Sequence, residues 1–181
     1  VDQTLALKSN GTVVAWGNND FGQSGFSLFG INIVAISAGY YHNLALRADG
    51  TVVTWGLDYP TPSAASNVVA VAAGWEHCLA LRADGSVVAW GDDSYGQSSV
   101  PAWATNVVAV GAGYYHNLAL RADGTVVAWG KSYLGVTDVP AGLTNVASIS
   151  AGEDYSVALV ASGPPRFGVQ RASVVAHAGR P

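Results

Sequence analysis

Two residues follow each of four regularly spaced Ala-Gly pairs of this chain, and their types suit a binding or catalytic surface. Tyr40-Tyr41 follows Ala38-Gly39, Trp75-Glu76 follows Ala73-Gly74, Tyr114-Tyr115 follows Ala112-Gly113, and Glu153-Asp154 follows Ala151-Gly152. Val1-Asp2 holds the same place at the start, because Leu5-Ala6-Leu7 aligns with Leu44-Ala45-Leu46. Rigid aromatics ringed by carboxylates suit a protein interface, where Tyr and Trp anchor in partner pockets at low entropic cost. The same residues also allow a glycosidase, with Glu76 and either Glu153 or Asp154 as acid and base and Trp75 and the tyrosines as sugar platforms. That chemistry needs two carboxylates about 5 to 10 Å apart. Ordinary surface-loop residues are the third reading. The interface is preferred: a protein partner first, carbohydrate as the alternative.

Other candidate groups carry less. His42, His77 and His116 recur at one slot, with Gln3 and Tyr155 as counterparts. A residue repeated in every unit is expected to satisfy backbone or pack between units. Zinc needs its ligands within about 2 Å of one point, so no metal site is expected. Asp49, Asp84 and Asp123 stand in Asp-Gly turns, which explain them. Asp92-Asp93 has no EF-hand-like series of ligands after it. Cys78 is the single cysteine, excluding an internal disulfide, and is expected as a small buried apolar residue. Neither a G-x-S-x-G elbow nor a phosphate-binding loop occurs, and no cofactor is expected.

The elements that must position these residues form a tandem repeat. Trp16-Gly17, Trp55-Gly56, Trp90-Gly91 and Trp129-Gly130 are spaced 39, 35 and 39 residues apart. The Ala-Gly pairs keep the same register at spacings of 35, 39 and 39. In each unit two short apolar runs flank an Asp-Gly or Asn-Gly turn, as in 44–47 and 51–55, a strong hairpin signal. A third run follows at 68–72, 107–110 and 146–150, after a stretch long enough for a loop and one short outer strand. About four strands per unit make an all-β propeller, or part of one, with four to five blades. No 3.6-residue apolar period persists, so helix should be nearly absent. The units run over about 1–37, 38–72, 73–111 and 112–150, with a partial one at 151–160. Residues 161–181, with Pro164-Pro165 and three arginines, read as an irregular tail.

The unit A-G-x-x-H-x-L-A-L-R-A-D-G-T-V-V-A-W-G-x-x-x-x-G-Q-x-x-V-P resembles the regulator-of-chromosome-condensation repeat in its short bacterial form. The stretch 88–101, VAWGDDSYGQSSVP, is similar to the seven-bladed, propeller-type β-lactamase inhibitory proteins. The resemblance implies a propeller and, through the inhibitor likeness, aromatic loops at one end used against a protein. With four Trp-Gly hairpins and one trailing strand, the chain falls short of seven blades. A piece of a longer propeller, a small closed ring, or a ring completed by a second copy are the expectations. The last makes a homo-oligomer the assembly to test. Eight basic against twelve acidic residues give a net charge of −4. This excludes a basic nucleic-acid-binding face. No apolar run reaches the roughly 18 residues of a membrane helix. The bacterial form of the repeat favours secretion or surface display.

Overall fold

Alternation within the short apolar runs decides which neighbour each side chain meets, because successive residues of a strand point to opposite faces. The computed structural model describes residues 3–25 and 32–161, and every regular element in them is a strand. β1 (Gln3–Leu7) and β2 (Val13–Gly17) form a first, two-stranded sheet. Three sheets of three strands follow. They are β3 (Ile33–Ala38), β4 (His42–Arg47) and β5 (Val52–Gly56); then β6 (Val68–Ala73), β7 (His77–Arg82) and β8 (Val87–Gly91); then β9 (Val107–Ala112), β10 (His116–Arg121) and β11 (Val126–Gly130). β12 (Val146–Ala151) and β13 (Ser156–Val160) form the last. All pairing is antiparallel and sequential.

This repetition of small sheets is the expected propeller architecture, left open at its two ends, with two corrections. The run at 68–73 does not belong with the strands before it. It pairs with β7 as the first strand of the next sheet, Ala73 opposite Cys78, so units cut at Ala-Gly fall between two paired strands. The outer fourth strand is also missing: residues 57–67, 92–106 and 131–145 run as turns and loops. Pro60, Pro62, Pro101 and Pro140 in these segments cannot donate to a ladder. The expectations for Val1, Asp2 and residues 162–181 lie outside the described residues.

The core lies between consecutive sheets. Leu44 and Leu46 of β4 pack forward against Val68, Val71, Cys78 and Ala80 of the next sheet. Ala45, between them, faces back toward Leu5, Val13 and Ile33. Leu79 and Leu81 repeat the forward contact, onto Val107, Ala119 and Val127. The Leu-Ala-Leu motif is therefore a stacking code, with large residues projecting into the space that small ones leave. The first strand of each sheet after the first carries a bulge at its second residue; in β3 and β6 the ladder skips Val34 and Val69 and leaves both about half exposed (54% and 53%).

The hairpin turns are clamped from both sides. Gly50, Gly85 and Gly124 take φ near +80° (81°, 80° and 79°), which favours glycine. Each carbonyl accepts from the first strand of the next sheet, as in Val107 N–H to Gly85 O at 3.0 Å. Asn67, Asn106 and Asn145 before those strands also hold positive φ, between 53° and 56°. Asn tolerates that region better than most residues.

Candidate binding face

In each three-stranded sheet the loop between first and second strands lies at the end opposite the Asp-Gly turns, beside the segment that leaves the third strand. Main-chain bonds hold the two together: the N–H of Leu57, Asp92 and Lys131 donates to the carbonyls of Tyr41, Glu76 and Tyr115 at 2.8, 2.7 and 2.8 Å. Successive loops are tied as well, with Tyr40 N–H to Gly74 O and Tyr114 N–H to Glu153 O, both 3.2 Å.

The aromatic residues expected at this slot meet as one cluster. Tyr40 lies 4.5 Å from Tyr41, 4.8 Å from Trp75 and 5.8 Å from Tyr114, centroid to centroid. Trp75 sits 4.4 Å from Tyr114 and 4.9 Å from Tyr115. Such tilted and edge-on pairs each contribute about 0.5–1.5 kcal/mol beyond burial. The rings therefore hold one another in place while remaining partly exposed.

Two further rings extend the cluster. Phe21 packs on Tyr41 at 4.6 Å, and Tyr95 on Tyr115 at 4.9 Å. Both come from the loop after Trp-Gly, and a buried glutamine sets each. Gln97 Oε1 accepts from Tyr95 N–H at 2.8 Å, and its Nε2 donates to Asp92 Oδ2 at 2.5 Å. Gln23 holds Phe21 N–H at 2.8 Å in the same way. The Gln97 carbonyl accepts from Asn117 Nδ2 (2.7 Å) and Trp129 Nε1 (3.1 Å), which ties the loop to the next sheet. The signal for these rings is present in the sequence as F-G-Q and Y-G-Q after Trp-Gly. Without the fold it reads only as loop.

The carboxylates divide between two places on the face. Glu153 accepts a hydrogen bond from the Tyr114 hydroxyl. Burial first, and this bond second, raise the Tyr114 pKa well above the ordinary phenol value. Burial also pushes the Tyr115 hydroxyl up, with negative charge from Glu76 and Asp92 adding to it. Glu76 acts likewise on Tyr59, which burial leads in pushing up to about 12. Among the described residues no group of three or more His, Cys, Asp or Glu side chains is placed to hold a metal ion.

The histidines serve the scaffold. His77 Nε2 is 2.7 Å from Asn117 Oδ1 on the next sheet, His42 Nε2 is 3.2 Å from Cys78 Sγ, and His116 Nε2 is 3.1 Å from Ser156 Oγ. Gln3 makes the same link to Asn43 Oδ1 at 3.1 Å. Gln3, His42, His77 and His116 thus staple their sheets to the following ones, and Cys78 is fully buried within this ladder. Burial holds His42 and His77 down to about 4, and so neutral. The Ala-Gly glycine belongs to the same device. A Cβ on Gly74 would stand 2.2 Å from the His77 ring and 2.7 Å from the Gly113 carbonyl.

This constellation of sheet, staple and loop matches a known repeat. The model of the regulator of chromosome condensation (RCC1) repeat matches residues 4–23, 33–59, 68–97 and 107–135, together more than half of the chain. The chain belongs to this family. Among solved structures it is similar to Prp20p from Saccharomyces cerevisiae, at 25% identity and a TM-score of 0.72, over 87% of this chain and 54% of that one. Human WBSCR16 shares 23% identity at a TM-score of 0.72, over 89% of this chain and 56% of the other. The CRINKLY WD40 ectodomain of the Arabidopsis thaliana receptor kinase ACR4 shares 23% at 0.69, over 86% and 54%. The chain thus spans just over half the length of these structures. No curated protein matches it.

Within the RCC1 repeat, the second unit departs from its neighbours. It has Leu57-Asp58-Tyr59-Pro60 where the first and third have Asn18-Asn19-Asp20-Phe21 and Asp92-Asp93-Ser94-Tyr95. Tyr59 turns inward and stands edge-on to His42 at 5.4 Å, and its carbonyl accepts from Trp90 Nε1 at 3.3 Å. That loop adds no ring to the face cluster, so the outer rings stand in two groups, Phe21 with Tyr41 and Tyr95 with Tyr115.

Proposed function

We propose that this RCC1-repeat chain is a protein-interaction module, inhibitor-like or scaffolding, whose partner docks on the face of Tyr40, Tyr41, Trp75, Glu76, Tyr114, Tyr115, Glu153 and Asp154. The observation that carries the reading is the continuity of the rings: five loops join Phe21, Tyr41, Tyr40, Trp75, Tyr114, Tyr115 and Tyr95 into one partly exposed surface. Preordered aromatics bind at low entropic cost and dominate interface energetics. The structure similar at 25% identity is described through the binding of Prp20p to Gsp1p and histones, and another through yeast RCC1 bound to Kap60. Both support a protein as the partner.

A displayed-peptide library selected on the immobilised chain tests the face. Enriched peptides should lose at least about ten-fold in affinity for the Tyr41→Ala/Tyr115→Ala double variant, as expected for anchors worth more than 1 kcal/mol. Its melting temperature should stay within a few degrees of the parent. Undiminished binding places the interface elsewhere. A chromogenic glycoside panel, run on the parent and on Glu76→Gln, tests hydrolysis by Glu76 with Glu153 or Asp154.

Self-association is the second part of the proposal. Trp16 is 53% exposed where Trp90 and Trp129, at two of its equivalent positions, are 9% and 7% exposed and Trp55 is partly buried. Val157 and Leu159 are 51% and 62% exposed where Leu79 and Leu81 are 0% and 2%. The two ends are the two halves of the contact that joins sheets inside the chain. We propose that the C-terminal end of one copy packs on the N-terminal end of a second.

A further inference from the structure

The face already holds one ammonium group. Lys131 Nζ lies 4.0 Å from the ring centroid of Tyr95, 5.1 Å from Tyr115 and 5.7 Å from Tyr133. All three fall within the roughly 6 Å over which a ring quadrupole attracts a cation. The Phe21–Tyr41 pair repeats the geometry of Tyr95–Tyr115, and Leu57 stands at the place of Lys131. That second ring pair has no cation of its own at the matching position.

Charge around the rings is one-sided. Glu76, Glu153 and Asp154 stand in the loops before the second strands, and Asp20, Asp92 and Asp93 in the loops after Trp-Gly. Lys131 is the single basic residue at this end among the described residues. At the opposite end Arg47, Arg82 and Arg121 alternate with Asp49, Asp84 and Asp123, and the charges offset one another. Carboxylates beside aromatic faces strengthen the seat for a cation and steer a basic partner toward it.

We infer that this face recognises a basic segment of a partner protein, seating Lys or Arg side chains on the rings as Lys131 is seated, with the surrounding carboxylates as counter-charges. The inference rests on the interaction reading and gives it a chemistry. Lys131 fills one seat and acts as an internal competitor for it.

Fluorescently labelled octalysine and octaglutamate, titrated against the full chain at low and high salt, decide the matter. Octalysine should bind, weaken as salt screens the carboxylates, and outcompete octaglutamate. Tyr95→Ala/Tyr115→Ala should weaken octalysine about five-fold or more with no change in charge. Lys131→Gln should tighten it. Tyr95 is 46% exposed, so Tyr95→Ala alone serves if the double variant folds poorly. Equal binding of both peptides, or octalysine binding that ignores the ring variants, overturns the inference. If library peptides require Tyr41 and Tyr115 while octalysine does not bind, the interaction face stands and its preference for basic partners falls.

Discussion

His42 and His77 are enclosed so completely that burial, ahead of any neighbouring charge, holds their pKa near 4 rather than 6.5. The sign of the consequence follows from linkage. Between those two values the unfolded chain binds protons that the folded chain refuses, so stability is fully present above pH 6.5 and drains away as pH falls toward 4. The staple also shows how to remove the effect, because Gln3 makes the same inter-sheet bond without an ionisable group. His77→Gln should therefore fold, and its melting temperature should fall less between pH 7 and pH 4.5 than the parent's, by a few degrees. An identical acid profile would show that His77 does not titrate on unfolding. At this scale the histidines and the face residues separate cleanly: the former face the next sheet, the latter face outward from the loop just before them.

The hairpin and its clamp are the element on which each sheet depends. Gly85 sits at φ 80°, and an added Cβ would lie 3.3 Å from Asn106 Cα and 3.4 Å from the Val107 main chain. A β-branched side chain meets both obstacles, the wrong backbone basin and the close main chain of the neighbouring strand. Gly85→Val should destabilise the chain by about 1–3 kcal/mol in urea unfolding. A loss within error would mean that the turn relaxes to another type. Because the Gly85 carbonyl accepts from Val107 of the next sheet, damage there reaches a second sheet. The elements are coupled neighbour to neighbour, as stacked repeats are.

At the scale of the whole molecule, the two ends present faces that elsewhere lie between sheets. Exposed Trp16, Val157 and Leu159 contrast with Trp90, Trp129, Leu79 and Leu81, which are buried at equivalent positions inside the stack. Strand edges and apolar faces left open invite pairing with a second copy. Light scattering at micromolar concentration should give a mass above the 18.5 kDa of one chain, with a dimer ahead of larger species. A clean monomer would sink the shared-ring proposal without touching the aromatic face.

Much of this was legible in the residues because repetition makes local signals agree. Asp-Gly between two apolar runs dictates a hairpin by turn chemistry alone, and the Leu-Ala-Leu alternation dictates which neighbouring sheet each buried side chain meets. Tyr40, Tyr41, Trp75, Tyr114 and Tyr115 were recognisable as one surface because they share a slot. Other features required the tertiary structure. The pairing of residues 68–73 with the strand after them, rather than the one before, is a contact between segments that apolarity does not direct. The partners of His42, His77 and His116 lie 36 to 40 residues downstream, on another sheet. Phe21, Tyr95 and Lys131 join the face only because a buried glutamine and a main-chain bond fold the Trp-Gly loops back over it. Local sequence fixes dihedral angles and burial pattern, whereas the meeting of separate loops depends on how one sheet stacks upon the next.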